Sequence, residues 1–265
     1  MTPIALTIAG SDCSAGAGLQ ADLKTFQHFQ VYGLTAVTCV VSETPLIVRH
    51  VHPIPVDVVI DQVELLLQTF PIGAIKTGML YSAAHIERLA ELLAKYPNIP
   101  LVIDPVMIAS TGDPLIEENA IIAYKEKLLP LATLITPNLP EAAVLLDRKE
   151  IFTNEFHDAA HQLAQRFQVS VLLKGGHLNE ESCLDYLVEG EATYEYSSLR
   201  INTKASHGTG CTLSAAIAAN IALGKDLTES CANAKAFINH SLITSIAWNN
   251  YNHGEIHVLN QGTVS

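Results

Sequence analysis

Basic side chains are scarce in this sequence: 15 Lys and Arg stand against 27 Asp and Glu, which gives a net charge of −12. Nucleic acids and anionic membrane surfaces attract basic proteins, so this composition excludes a general affinity for either. We therefore expect neither a nucleic acid nor a membrane as a partner. An anionic ligand would have to be held locally, by backbone amides and a few cationic side chains.

Signatures of zinc sites, disulfides and export are missing as well. The five cysteines are odd in number and include no Cys-x-x-Cys pair, which argues against a zinc site and a disulfide framework. The longest apolar run, residues 213–223, is too short to span a bilayer. Residues 1–9 contain no basic side chain and only a short apolar run, unlike a secretory signal. These absences favour a cytoplasmic enzyme.

Apolar residues, by contrast, are plentiful. They make up 49% of the chain, and the charged fraction of 16% is too low for a disordered protein. Short apolar runs predict strands at residues 4–9, 34–41, 72–76, 101–103, 134–135 and 171–174. Between them, amphipathic runs predict helices at residues 19–29, 56–69, 83–95, 118–128, 141–146 and 156–167.

Apolar strands that alternate with helices predict a parallel sheet covered on both faces. Residues 183–188 and 192–199 predict a hairpin at one edge of this sheet. The chain is predicted to end in two helices, residues 209–223 and 227–248, the second capped by Asp226. We find no linker or repeat. The sequence therefore predicts one three-layer α/β/α domain over residues 1–265, with a mostly parallel central sheet and a small edge hairpin.

The segment Ser206–Thr212 predicts an anion site. Its glycines let the backbone curl, and the small apolar residues that follow favour a helix. The N–H groups at such a helix start converge, and the helix dipole adds roughly half a positive charge there. Cys211 lies in this turn, where we expect its thiol pKa to fall. The residues alone leave open whether Cys211 is an acyl-transfer nucleophile or a general base.

The loop after the first predicted strand allows two interpretations. Residues 16–21 satisfy the pattern Gly-x-Gly-x-x-Ala, and Glu43 could act as a ribose-binding acid, as in a nicotinamide or flavin oxidoreductase. In such enzymes the first glycine comes almost directly after the strand, whereas Gly16 lies several residues beyond it. We therefore favour a loop of small residues that lines a substrate pocket.

Three more loops follow predicted strands, where ligands collect in parallel sheets. Asp104 could approach a metal–phosphate complex or cap a helix. Asn138 and Glu141, three residues apart, could hold Mg²⁺ through oxygen ligands or simply cap a helix in which Pro140 takes an early position. Lys174 closes an apolar strand before two glycines, a pattern typical of a contact to nucleotide phosphate.

Seven stretches carry a family resemblance along nearly the whole chain. They are ALTIAGSD from residue 5, GLQADLKTF from 18, KTGML from 76, DPVM from 104, ITPNLPEA from 135, LKGGHL from 173 and HGTGCTLS from 207. In this order they closely resemble the hydroxymethylpyrimidine and phosphomethylpyrimidine kinases of thiamin biosynthesis, in the ribokinase-like superfamily. Some relatives in that superfamily act on pyridoxal.

The resemblance implies a ribokinase-like fold, ATP and Mg²⁺ as cofactors, and a homodimer. It also implies transfer of the ATP γ-phosphate to 4-amino-5-hydroxymethyl-2-methylpyrimidine and to its monophosphate. By position, the anion hole would comprise Gly208, Thr209 and Gly210, with Cys211 near the attacking hydroxyl. ATP would contact Lys174, Asn138 and Thr136, and Mg²⁺ would be held by Asp104 and Glu141. The pyrimidine pocket would be lined by Gly10, Asp22, Glu43, Met79 and Val106.

One position departs from the family pattern. Members usually carry a glutamine after the second strand, which reads the pyrimidine's amino group and ring nitrogen, whereas this chain has Glu43. A carboxylate only accepts hydrogen bonds, while an amide also donates. Glu43 would thus favour an amino group next to a protonated ring nitrogen, or a different substrate such as pyridoxal or pyridoxine.

Overall fold

The computed structural model describes residues 2–107, 117–176, 182–250 and 254–262. Its main sheet has nine strands: β1 (Ile4–Asp12), β2 (Tyr32–Thr44), β3 (Ile47–Pro53), β4 (Ala74–Thr77), β5 (Leu101–Ile103), β6 (Leu134–Ile135), β7 (Ser170–Lys174), β8 (Ser182–Glu189) and β9 (Ala192–Leu199). Their order is β3-β2-β1-β4-β5-β6-β7-β8-β9. Six neighbouring strands, β2, β1, β4, β5, β6 and β7, run parallel to one another. Antiparallel strands lie at both edges: β3 at one, and β8 with β9 at the other.

Helices cover both faces of the sheet. They are α1 (Gly18–His28), α2 (Val56–Thr69), α3 (Ala83–Leu93), α4 (Glu118–Ala123), α5 (Leu139–Leu145), α6 (Phe156–Phe167), α7 (Thr209–Ala222) and α8 (Leu227–Ile243). Successive strand residues point to opposite faces, so Ile103 joins the apolar core beneath α2–α6 while Val102 joins the core beneath α7 and α8. The predicted three-layer α/β/α architecture, with a mostly parallel central sheet and an edge hairpin, is confirmed.

Helix α7 differs from the other helices because it is apolar on almost every side. Its residues from Thr212 to Asn220 are buried throughout. Such a helix must be enclosed on all sides, and α7 packs between the sheet, α1 and α8. The carboxylate of Asp226 accepts a hydrogen bond from the Glu229 amide and caps α8, as predicted. The sheet and these helices together fix the start of α7 in space.

The chain's last segment departs from the prediction. The second terminal helix ends at Ile243, and Ile246–Asn250 forms a strand, β10, that pairs with β11 (Gly254–Val258). The short apolar run at residues 246–248 fits both the helical and the strand period, so the sequence alone does not separate a further helical turn from a strand. The sequence does not predict strand β3 for a related reason: it is an exposed edge strand in which only the first two residues form an apolar run.

The predicted helix at residues 118–128 is also only partly regular. It is α-helical to Ala123 and continues as a wider π-helical turn over Tyr124–Leu128. The fully buried Tyr124 lies in that turn, and its hydroxyl donates to the carbonyl of Gly78. Within the described ranges, no helix combines the length and apolarity needed to cross a membrane.

Candidate active site

A cavity of about 540 Å³ opens at the carboxyl ends of the parallel strands. This is the size and position typical of a small-molecule site in such folds. Most predicted site residues line it: Gly10, Glu43, Met79, Asp104, Val106, Asn138, Glu141, Lys174, Gly208, Thr209, Gly210 and Cys211. Two predicted residues, Thr136 and Asp22, are not among its lining residues.

The start of α7 forms one wall of the cavity. Gly208, the N-cap, has φ of +82°, and a side chain there would collide with the carbonyl of Gly16. In the described part of the chain, the amides of Gly210 and Cys211 donate to no protein acceptor. Two free N–H groups and the helix dipole therefore face the cavity, as an anion site requires.

Cys211 lies at this helix start, but its thiol is not activated in the way that we expected. Burial raises the pKa of Cys211 to about 11, although the ammonium of Lys76 opposes the increase. The prediction of a lowered pKa is wrong, because desolvation of the thiolate outweighs the helix start and the nearby cation. At neutral pH the side chain is predominantly the thiol.

A largely buried ion pair lies directly against Gly210, where an added Cβ would be 3.4 Å from both Lys174 Nζ and Asp104 Oδ2. Lys174 Nζ lies 3.1 Å from Asp104 Oδ1, and both side chains are largely buried. Burial by itself would lower the pKa of Lys174, but the carboxylates of Asp104 and Glu141 raise it, so the ammonium stays charged. Thr136 sits behind this pair, with its hydroxyl 3.4 Å from Asp104 Oδ1, and therefore does not reach the cavity.

Asn138 and Glu141 take the capping role, one of the two that the sequence left open. They form a capping box at the start of α5: the Glu141 amide donates to Asn138 Oδ1 over 2.9 Å, and the Asn138 amide donates to Glu141 Oε2 over 2.8 Å. Both residues also line the cavity. Burial raises the pKa of Glu141 to about 7; Lys174 opposes this shift and Asp104 adds to it.

Sequence reasoning gave no role to Asp12, which organises the loop between β1 and α1. Its Oδ2 accepts hydrogen bonds from the amides of Gly16 (3.1 Å) and Ala17 (2.8 Å) and from His207 Nε2 (2.9 Å). Burial would raise the pKa of Asp12, but these bonds lower it to about 2. The only sequence feature that points to a role for Asp12 is its position in the Gly-Ser-Asp stretch at the end of a strand.

Glu43 faces the Asp12–His207 pair. Oxygen and nitrogen atoms of the three side chains all lie within 4.8 Å of one another. Burial raises the pKa of Glu43, the Asp12 carboxylate raises it further, and His207 lowers it. A polar cluster therefore occupies one end of the cavity, while Met79 and Val106 contribute apolar lining.

The ribbon formed by β2 and β3 supplies further apolar wall that the sequence did not predict. Pro45, Leu46, Ile47 and Val48 line the cavity, and the last three are each about half exposed. They lie at the tip of an edge hairpin, and only Ile47 and Val48 of this apolar run belong to β3, which continues with basic and polar residues that do not predict a strand. Met79, Val106 and this ribbon give the cavity a surface suited to a flat ring.

Gln261, near the end of the chain, ties two site loops together. Its Nε2 donates to the carbonyl of Gly16 over 2.8 Å and to Thr212 Oγ1 over 2.9 Å. Thr212 in turn donates to the carbonyl of Gly208. No sequence pattern pointed to Gln261, because its role depends on contacts between residues about 250 and 50 positions apart.

Asp22 does not line the pocket as the family resemblance implied. Its side chain is fully buried beneath the cavity floor and forms an ion pair with Lys76, whose Nζ is 2.8 Å from Asp22 Oδ2. The hydroxyl of Thr7 also donates to this carboxylate. All of the carboxylate's observed partners are therefore protein groups below the site.

The free amides at a helix start, the ion-paired lysine and the buried carboxylates surround one cavity at the end of a parallel sheet. Within a ribokinase-like fold, this set defines an ATP-dependent phosphotransferase. More particularly, the chain belongs to the phosphomethylpyrimidine kinase family, whose model matches residues 12–257. Of the two classes that the sequence left open, this assignment favours the kinase over the dinucleotide-binding oxidoreductase.

Individual relatives agree with the family assignment. The chain is 43% identical over 241 residues to a hydroxymethylpyrimidine/phosphomethylpyrimidine kinase of Haemophilus influenzae, covering 89% of this chain and 90% of the relative. A pyridoxal kinase of Bacillus subtilis, solved as an ADP complex, superposes with a TM-score of 0.89 at 36% identity over 98% of both chains. A phosphomethylpyrimidine kinase of Clostridium difficile superposes with a TM-score of 0.80 at 36% identity, covering 91% of this chain and all of the other.

Proposed function

We propose that this protein transfers the γ-phosphoryl group of ATP to the hydroxymethyl group of 4-amino-5-hydroxymethyl-2-methylpyrimidine, and then phosphorylates the monophosphate, in thiamin biosynthesis. One observation carries the proposal: a single cavity joins a ring-sized apolar wall to the free amides of Gly210 and Cys211. The names of the relatives that match most of the chain support the same activity.

The proposed reaction needs positioning and charge neutralisation more than covalent participation by the protein. Met79 and Val106 would hold the ring, with its hydroxymethyl group toward the start of α7. The hydroxyl oxygen would form a bond to the γ-phosphorus as the bond to the β,γ-bridging oxygen breaks. The amides of Gly210 and Cys211 would neutralise the negative charge on the group in transit, a contribution typically worth about 10²–10³ in rate per donor.

Cys211 would orient the attacking hydroxyl and take up its proton late in the transfer. Because its pKa is about 11, only a small fraction is thiolate at neutral pH. A late acceptor nevertheless suffices when the leaving group departs before the proton does, as in a loose transition state. Only the small thiolate fraction can accept: in that fraction the proton lost by the hydroxyl would end on the sulfur as a thiol, and no further reactant is required.

The residues also fit Mg²⁺. Asp104 and Glu141 offer carboxylate oxygens beside one another in the cavity wall, and Mg²⁺ prefers oxygen ligands and retains several waters. Bound there, the ion would neutralise phosphate charge. Lys174 would contact the phosphates, with Asn138 nearby. Thr136, behind Asp104, would act on ATP only by holding that carboxylate.

Pyridoxal or pyridoxine phosphorylation is a second candidate. The observation that favours it is Glu43, where the pyrimidine kinases usually carry glutamine, together with the similarity to a pyridoxal kinase over nearly the whole chain. A carboxylate beside Asp12 and His207 offers acceptors to a ligand with a protonated ring nitrogen.

We also infer that residues 1–265 act as one kinase domain in the cytoplasm and form a homodimer. Two apolar cores spread along a single sheet support one domain. Exposed apolar side chains on the β2–β3 ribbon support a partner copy: Val40, Leu46, Ile47 and Val48 are each 43–53% exposed. Sedimentation analysis should give a dimer mass.

A substrate panel tests the activity. The purified protein would be given Mg-ATP with the aminopyrimidine, its monophosphate, pyridoxal or pyridoxine, and ADP release would be measured. We expect the aminopyrimidine to give the highest kcat/KM, and no reaction when EDTA replaces Mg²⁺. A protein that releases no ADP with any of the four compounds would overturn the proposed function.

A further inference from the structure

The segment that follows β11 returns to the interior of the protein. Leu259 and Gln261 are 4% and 2% exposed, and Leu259 packs in the core beneath α7 and α8. Between them, the amide of Asn260 donates to the carbonyl of Ser241 on α8 over 3.2 Å. These contacts bring the Gln261 carboxamide to the start of α7, where the function described so far gives it no role.

The hydrogen bonds of Gln261 have a defined direction. The hydrogen of the Thr212 hydroxyl is donated to the carbonyl of Gly208 over 2.8 Å, so this oxygen accepts from Gln261 Nε2, at 2.9 Å. The second hydrogen of Nε2 goes to the carbonyl of Gly16 over 2.8 Å. Gln261 Oε1 is buried and has no hydrogen-bond partner within the residues that the structure describes, which costs free energy. A methionine would fill the same length without that cost, so packing alone does not call for a carboxamide.

Gly16 and Gly208 belong to two loops that touch. A Cβ added to Gly208 would lie 2.0 Å from the carbonyl oxygen of Gly16, and a Cβ added to Gly16 would lie 2.7 Å from His207 Cδ2. Neither could be accommodated without a shift of the backbone or of the ring. Gln261 therefore joins the β1–α1 loop to the start of α7 at the point where their backbones are in contact.

The turn that Gln261 restrains carries the free amides of the site. The amide of Thr212 also donates to the carbonyl of Gly208, over 2.9 Å, and this bond closes the first turn of α7. Gly210 and Cys211, whose amides have no acceptor among the described residues, lie within that turn. Because the turn contains two glycines, its backbone is intrinsically permissive, and contacts from outside must fix it.

We propose that Gln261 is a positioning residue that holds the start of α7 against the β1–α1 loop and so fixes the free amides for phosphoryl transfer. The proposal rests on the proposed function, since it assigns the amides of Gly210 and Cys211 to the group in transit. Preorganised donors stabilise the transition state without reorganisation, and a small displacement costs much of that effect. The pyrimidine ring, which Met79 and Val106 would hold, should bind almost as well without Gln261.

Steady-state kinetics of Gln261→Met test this role, because the variant loses both hydrogen bonds at similar side-chain length. With Mg-ATP and the aminopyrimidine we expect kcat to fall by about tenfold, while KM for the aminopyrimidine changes by less than about twofold, because the lost interaction acts mainly in the transition state. A raised KM at an unchanged kcat would overturn the proposal. Circular dichroism and thermal unfolding establish that the variant is folded at the assay temperature.

Thr212 provides a second route to the same answer, which also decides the matter if the Gln261 variant does not fold. Thr212→Val deletes the hydroxyl between Gln261 and Gly208 and should lower kcat, and Thr212→Ser, which keeps a hydroxyl, should recover most of that loss. In Gln261→Met/Thr212→Val the two effects on kcat should not multiply, because both changes break the same chain of hydrogen bonds. Multiplicative effects, or a Thr212→Ser variant as slow as Thr212→Val, would overturn the proposal.

Hydrogen–deuterium exchange tests the link between the loops without any substrate. In Gln261→Met, peptides that contain residues 14–18 and 208–214 should exchange about tenfold faster than in the wild type, since local opening of both segments becomes easier, and exchange in α6 should not change. If the wild type is inactive with every compound of the panel, the proposed function fails, while the exchange rates still decide whether Gln261 holds the loops. Unchanged exchange in both segments, or faster exchange together with a normal kcat, would overturn the proposal.

Gln62 on α2 supplies the matched control. Its Oε1 accepts from the amide of Val37 on β2 over 3.0 Å, its Nε2 donates to the carbonyl of Val37 over 3.4 Å, and it is not among the residues that line the cavity. Gln62→Met should leave kcat and the exchange of residues 208–214 unchanged. An equal loss of kcat there would show that breaking any glutamine–backbone link slows turnover, and would contradict the assignment to Gln261.

Discussion

At the residue scale, the chemistry centres on Cys211, a partly buried thiol in the cavity wall and not a free thiolate. Its pKa of about 11 follows from burial that the helix start and Lys76 only partly offset. Such a group is a weak nucleophile at neutral pH, which argues against covalent acyl transfer. Its small thiolate fraction would still suit a step in which the protein receives a proton late.

We predict that Cys211→Ala lowers kcat by about two or more orders of magnitude and leaves ATP binding nearly unchanged. The substitution removes the proton acceptor but keeps the backbone amides that contact phosphate. Steady-state kinetics and calorimetric titration with ATP would measure the two effects. Cys183→Ala, which changes a cysteine on β8 outside the cavity, is the control. Near-normal turnover of the Cys211 variant would show that this side chain takes no part in the reaction.

A second prediction at the residue scale concerns the effect of Glu43 on substrate choice. Glu43→Gln should raise kcat/KM for the aminopyrimidine relative to pyridoxal by about tenfold, because the amide can donate as well as accept. The ratio of the two kcat/KM values in each protein is the measurement. An unchanged or lower ratio would mean that the carboxylate is adapted to the present pocket and its Asp12–His207 neighbours.

At the scale of elements, one short segment both begins a helix and builds the site. The capping box of α5 uses Asn138 and Glu141 to fix the helix start, and the same side chains face the cavity beside Lys174. The spacing of these residues predicted both roles and could not choose between them. Only the packing of α5 against the end of β7 brings the cap next to the lysine.

The titration of Glu141 gives an element-scale prediction. Its pKa is raised to about 7, so in the free protein the carboxyl becomes protonated as the pH falls through 7. Mg²⁺ needs the carboxylate, so the KM for Mg²⁺ should rise as the pH drops from 8 to 6. Glu141→Gln keeps an acceptor for the capping box and should abolish this dependence while weakening Mg²⁺. A pH-dependent KM that persists in this variant would assign the titration to another group.

At the scale of the whole molecule, the order of strands and helices was readable from the sequence because each central strand is apolar throughout. Leu101–Ile103 and Leu134–Ile135 have the bounds that were predicted, as do Val56–Thr69 and Phe156–Phe167. The edges were harder: β3 and the terminal hairpin lack an unambiguous apolar period. The sealed Lys76–Asp22 pair and the Gln261 link were not predictable, since they depend on tertiary contacts between distant segments.

Asp12 joins distant segments, and its titration affects the stability of the whole fold. Its pKa of about 2 in the folded state, against 3.8 for an ordinary Asp, stabilises the fold by about 2 kcal/mol above pH 4. Because the folded-state pKa is the lower one, this contribution is lost as the pH falls from about 4 to 2. Asp12→Asn should therefore cost stability at pH 7 and much less near pH 2.5.

Urea unfolding at both pH values measures the Asp12 effect. Asp57→Asn provides the control, because Asp57 is exposed and its pairing with Arg88 at 3.3 Å is solvated. That variant should unfold like the wild type at either pH. A loss of stability in Asp12→Asn that is equal at pH 7 and pH 2.5 would contradict the account of Asp12.

The most direct test follows the phosphoryl group itself. The protein would be incubated with Mg²⁺, ATP labelled in its γ-phosphate, and 4-amino-5-hydroxymethyl-2-methylpyrimidine, and the products would be separated. The label should appear on the pyrimidine in wild-type protein and be nearly absent from it in Cys211→Ala. Label that is released only as inorganic phosphate, or that stays on ATP, would contradict phosphoryl transfer to this alcohol at the start of α7.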